Sequence, residues 1–144
     1  MDMQLVIGGA FAGKRKIVRE KYERCSWTSA YMGHSLTDWK INWEHDTPLV
    51  VEGWEKWIEK DLTNGKSMND IRSDFSHLLT SFAAEEKKRK MPIVLVMLEV
   101  GRGIVPIEKN DRMLRDVMGW MAQDAGRMSE EVVYVWNGLR KRLK

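Results

Sequence analysis

Residues 8–14, Gly8, Gly9, Ala10, Phe11, Ala12, Gly13 and Lys14, spell the G-x-x-x-x-G-K pattern of a phosphate-binding loop, and the next residue is Arg15. In such a loop glycines let the backbone curl around phosphate oxygens. The N–H groups opening the following helix point at the anion, and the lysine ammonium reaches the outer phosphates. In the usual form a Ser or Thr hydroxyl follows and binds Mg²⁺. Arg15 has five donors and no acceptor, so it ligates no metal. The sequence assigns no metal ligand. Two outcomes stay open: Mg²⁺ is held by other groups or through water, or the site binds nucleotide without efficient turnover, Arg15 replacing the positive charge of the metal.

Other groups are spaced to join the loop. Glu52 and Glu99 each close an apolar run, which places both carboxylates at the rim where the loop emerges. Phosphoryl transfer needs such a pair, one acid to organise metal or water and one to orient or deprotonate a hydroxyl. A neutral imidazole is a nucleophile near neutral pH. The candidate catalytic set is therefore Lys14, Glu52 and Glu99, with His34 or His45 as candidates to carry a nucleotidyl group.

Short apolar runs at 4–8, 48–52, 92–98 and 131–136, with a weaker one at 26–32, read as strands covered on both faces. Helical spacing occupies 14–24, 54–62, 68–88 and 110–128. This alternation predicts an open α/β sheet with ligands at the carboxyl ends of its strands. Ile71, Phe75, Leu78, Leu79 and Phe82 mark one buried helical face, and Met113, Leu114, Val117, Met118 and Met121 another. His77 falls on a polar face.

At 144 residues the chain is expected to form a single nucleotide-binding domain, 1–144. Lys and Arg number 24 against 21 Asp and Glu, a net charge of +3 that gives no indication of nucleic acid. One cysteine forms no internal disulfide, no secretory pattern opens the sequence, and no apolar run reaches the roughly 20 residues that span a bilayer. A cytoplasmic protein without membrane contact is expected.

Residues 98–106, Leu-Glu-Val-Gly-Arg-Gly-Ile-Val-Pro, are the most discriminating stretch. The segment resembles the N-E-V-G-x-G-I-V-P of the bifunctional adenosylcobinamide kinase/adenosylcobinamide-phosphate guanylyltransferase family. Arg112, Arg115, Asp116, Gly119 and Gln123 continue the likeness, being similar to that family's R-x-x-R-D-x-x-G-x-x-N-Q helix. The resemblance implies a P-loop NTPase (RecA-like) three-layer sandwich with a mostly parallel sheet. It also implies GTP or ATP as donor, a corrinoid (cobinamide) side-chain hydroxyl as phosphoryl acceptor in cobalamin biosynthesis, and a homotrimer.

Several positions depart from that family. Arg15 stands for the usual Ser or Thr, no H-x-x-x-R-P-like segment surrounds His34 or His45, and Trp120 and Ala122 replace Arg and Asn. The guanylyltransferase half thus lacks its histidine segment. Trp39, Trp43, Trp54 and Trp57 serve as core or subunit packing, or as an apolar wall for a corrinoid or purine. Two other readings remain: a non-catalytic nucleotide-binding or structural relative, and a small P-loop kinase for another hydroxyl.

Overall fold

The computed structural model describes residues 2–10, 12–99 and 108–144. Phe11 and the segment 100–107, including the glycines and proline of the 98–106 motif, lie outside the described residues. Among the described residues six strands form one sheet: β1 (Gln4–Gly8), β2 (Ser26–Ser29), β3 (Leu49–Glu52), β4 (Ile93–Leu98), β5 (Glu131–Trp136) and β6 (Leu139–Arg142). Their order is β2-β3-β4-β1-β5-β6, and all neighbours are parallel except the β5–β6 hairpin. The described residues also form the α-helices α1 (Lys14–Lys21), α2 (Trp54–Thr63), α3 (Met68–Arg89) and α4 (Lys109–Met128).

Side-chain alternation along the strands builds the layers. Leu5 of β1, Leu49 and Val51 of β3, and Ile93, Leu95 and Met97 of β4 face one way. They pack with Ile58 and Leu62 of α2, Ile71, Phe75, Leu79 and Phe82 of α3, and Val117, Met118 and Met121 of α4. The intervening Val6, Val50, Val94 and Val96 face the other way, against Ile17 and Val18 of α1. The result is the three-layer sandwich with a mostly parallel sheet that the resemblance implied, a P-loop NTPase-like arrangement.

The tryptophans settle into the larger core. Trp54 is fully buried and meets Trp57, Phe75 and Phe82 edge-on, with ring centroids 5.4, 5.2 and 6.4 Å away. Its indole N–H donates to the Val51 carbonyl at 3.1 Å, and that of Trp43 to the Thr47 carbonyl at 2.6 Å. Trp39 sits edge-on to Phe82 at 4.8 Å. These rings are packing, since buried aromatics contribute large apolar area once their N–H groups find acceptors. Trp57 alone of the four is only partly buried.

Element ends differ from the sequence expectation in physically readable ways. The run predicted as a strand to residue 32 leaves the sheet after Ser29 and turns into a short 3-10 segment, Ala30–Met32, closed by Gly33 at φ 80. The helix predicted to residue 24 stops at Lys21, because Tyr22 is already extended. β6 was not expected: Asn137 (φ 48) and Gly138 (φ 76) fold the polar tail back as a two-residue hairpin.

Candidate nucleotide site

The β1–α1 junction is built as a phosphate loop must be. Gly8 ends β1 between β4 and β5, and a Cβ there would stand 2.3 Å from the Val135 carbonyl oxygen, so only glycine lets the strands approach. Gly13 precedes α1 with φ 99, a left-handed turn that a side chain would strain. The Ala12 N–H donates to the Gly9 carbonyl at 3.3 Å, curling the loop. From the outer side, the Gly138 N–H of the β5–β6 turn donates to the Ala12 carbonyl at 2.9 Å.

Lys14 opens α1 and lies back over the loop, donating to the carbonyls of Gly9 at 2.7 Å and Gly8 at 3.2 Å. Burial pushes its ammonium below the ordinary lysine pKa, while Glu55 and Glu52 oppose that shift. These two carbonyl bonds hold the ammonium over the loop in a half-buried place.

Glu52 ends β3 and is 1% exposed. Its carboxylate is gripped by the Arg15 guanidinium, Nε to Oε1 at 2.7 Å and Nη2 to Oε2 at 2.5 Å, and Oε2 also accepts from Ser29 Oγ at 2.6 Å. This fork raises the Arg15 pKa, chiefly through the hydrogen bond to Glu52. Ser29 ends β2 in register with Glu52. Sheet topology brings these residues together: β4 lies between β1 and β3, so an arginine one helical step past the loop lysine reaches across β4 to the β3 carboxylate.

Gly53, at φ 86, follows β3 and caps α2, and a Cβ on it would lie 2.7 Å from that of Ala30. The turn swings Glu55 into the first turn of α2, where a carboxylate complements the helix dipole. Tyr31 donates its hydroxyl to Glu55 Oε2, and Glu55 Oε1 is buried without a hydrogen bond among the described residues. Burial and the Glu55 carboxylate push the Tyr31 phenol well above its ordinary pKa. The Tyr31 ring also lies 5.6 Å from the Arg15 guanidinium. A cavity of about 710 Å³ is lined by Ala10, Lys14, Arg15, Tyr31, Glu52 and Glu55, among others.

Of the sequence candidates, Gly8, Gly9, Ala10, Ala12, Gly13, Lys14, Arg15 and Glu52 thus gather at the carboxyl edge of the sheet. Glu99 lies just past β4 at the same edge, its N–H donating to the Gly8 carbonyl at 2.8 Å and its carboxylate accepting from Tyr134 at 2.6 Å. Phe11 is outside the described residues. His34 stands near Glu52, but its Nδ1 accepts the Ser29 N–H at 3.0 Å, which puts the neutral ring's proton on Nε2. His45 lies at the other end: three residues on, the Pro48 carbonyl accepts from Ser26 where β2 and β3 begin. His77 is exposed on α3 and lines a separate groove with Arg72 and Asp124. Ser29, Tyr31 and Glu55 were not among the sequence candidates. The signal in the sequence was the Glu52-Gly53 pair, where a strand-end carboxylate meets a turn residue that swings the next helix into the site.

The sequence model of a family described as cobinamide kinase / cobinamide phosphate guanyltransferase matches residues 14–143. The match begins at Lys14, so the glycines of the loop are read from this chain's own sequence and geometry. No curated protein matches the chain.

Proposed function

Because the chain belongs to the cobinamide kinase / cobinamide phosphate guanyltransferase family, we propose that it moves the terminal phosphoryl group of GTP or ATP onto the side-chain hydroxyl of a cobinamide, in cobalamin biosynthesis. The observation that carries this reading is the Lys14 ammonium over a glycine loop in the lining of a cavity of about 710 Å³. The N–H groups at the start of α1 and Lys14 take the β- and γ-phosphates. The acceptor oxygen bonds to the γ-phosphorus as the bond to the β-bridging oxygen breaks, and a nucleoside diphosphate leaves. Catalysis of such a loose transition state is mainly positioning and charge neutralisation. Of the two carboxylates lining the cavity, Glu52 is committed to Arg15 and Ser29, whereas Glu55 accepts from Tyr31 alone among the side chains of the described residues and receives the acceptor proton.

The residues present do not fit the Mg²⁺ that usually accompanies such a loop. No hydroxyl follows Lys14, and Glu52, the carboxylate opposite, faces a guanidinium. Among the described residues no group of three His, Cys, Asp or Glu could hold a metal ion.

Label from γ-labelled GTP or ATP is expected to appear in cobinamide phosphate, and Lys14→Ala is expected to reduce transfer about a hundredfold or more. Unlabelled cobinamide, or an unimpaired Lys14→Ala protein, refutes the assignment. The Arg15–Glu52 fork favours a second reading, a nucleotide-binding relative without transfer. It predicts nucleotide binding that depends on Lys14 and no label in any acceptor.

A further inference from the structure

We propose that the Arg15–Glu52 pair takes the place of the divalent cation, so that the loop takes up its triphosphate as the metal-free anion; this rests on the reading above that the loop holds a triphosphate. A metal in a phosphate loop of this kind sits between the hydroxyl after the lysine and a carboxylate on a nearby strand. Here both ends of that arrangement are altered together. The hydroxyl is replaced by Arg15, and its guanidinium reaches the strand-end carboxylate itself, at 2.7 and 2.5 Å. A metal ion at Glu52 would have to displace a fork whose partner is almost fully buried, and would then face the displaced arginine.

The guanidinium is also placed to do what the metal would. Nε and Nη2 bind Glu52, and among the described residues Nη1 has no hydrogen-bond partner. The Arg15 side chain is 45% exposed and lines the cavity. Tyr31 flanks its planar face. Held on one edge by a carboxylate, an arginine presents its remaining N–H groups in a fixed plane, the geometry that suits phosphate oxygens. Lys14, Lys16 and Lys56 line the same cavity, so the cations there outnumber Glu52 and Glu55 without any metal.

The test is calorimetric titration of GTP and of ATP into the whole protein, in excess EDTA and again in Mg²⁺. The wild-type dissociation constants are expected to agree within about fivefold between the two buffers, while Arg15→Ser binds about tenfold or more tightly with Mg²⁺ than with EDTA. Wild-type binding that improves with Mg²⁺ beyond that range overturns the inference and leaves the proposed function standing. An Arg15→Ser protein as indifferent to Mg²⁺ as the wild type also overturns it. Binding in neither buffer overturns the inference and the proposed function together. If Arg15→Ser does not fold, the wild-type pair of titrations decides alone, with Arg15→Lys, which keeps the charge and loses the fork, as the second variant.

Discussion

Tyr31 gives its hydroxyl hydrogen to Glu55, joining the segment after β2 to the first turn of α2 in the wall of the cavity. Glu55 is 7% exposed and Oε1 has no hydrogen bond, so the tyrosine is the one side chain that satisfies this carboxylate among the described residues. Tyr31→Phe is expected to cost about 1–3 kcal/mol by leaving a buried acceptor without a donor. Urea unfolding measures it. A paired Tyr31→Phe/Glu55→Gln protein should recover part of the loss, and no recovery would mean that the two residues are not coupled.

Gly53 and Gly9 make opposite predictions although both are glycines at the carboxyl edge of the sheet. At Gly53 the positive φ and the 2.7 Å approach of Ala30 make Gly53→Ala costly, about 2–4 kcal/mol. Among the described residues nothing lies within 4 Å of the place a methyl group would take on Gly9, so Gly9→Ala should fold normally while losing nucleotide affinity. Thermal melts and nucleotide titrations on the two variants separate a structural glycine from a ligand-facing one.

Glu86 predicts a pH dependence far from the site. Burial pushes its carboxyl from the ordinary 4.5 to about 7, Asp2 and Glu130 push the same way, and the Ile93 N–H at 2.7 Å opposes them. The folded-state pKa lies above the unfolded one. The stability this group contributes is therefore fully present below pH 4.5 and is lost as the pH rises through about 7. Glu86→Gln should remove that dependence, with a difference between the proteins of roughly 3 kcal/mol across the window. Urea midpoints on both sides of the window would show it, and parallel pH profiles for the two proteins would refute it.

The histidines give a negative expectation with a chemical readout. His45 is at the wrong end of the sheet, and the Nε2 of His34 bears the proton while Nδ1 accepts from Ser29. Incubation with α-labelled GTP should leave no acid-labile, base-stable label on the protein. A labelled His34 peptide would show that the ring changes tautomer and is the nucleotidyl carrier after all.

Much of this architecture was legible because the physics was local. Continuous runs such as Ile93–Leu98 read as buried parallel strands, and Ile71, Phe75 and Phe82 read as one helix face; both are core. The loop was visible because its glycines serve backbone geometry. The chemistry around Glu52 was not, since the reach of Arg15 depends on β4 entering between β1 and β3, a fact of topology with no signature at either residue. Tyr31 and Glu55 were missed for the same reason, separated by 24 positions and brought together by the Gly53 turn. The hairpin to β6 could have been read from Asn137-Gly138, the pair that two-residue turns favour.

The hydrogen bond from Gly138 to Ala12 has a consequence for the order in which the molecule can be assembled. β1 lies between β4 and β5, so both of its neighbours come from residues 93–136, and the loop after β1 is braced by a turn further on still. During synthesis the phosphate loop leaves the ribosome well ahead of these groups and waits for them to give it shape. A nascent chain arrested before β5 has the loop's sequence without its mould.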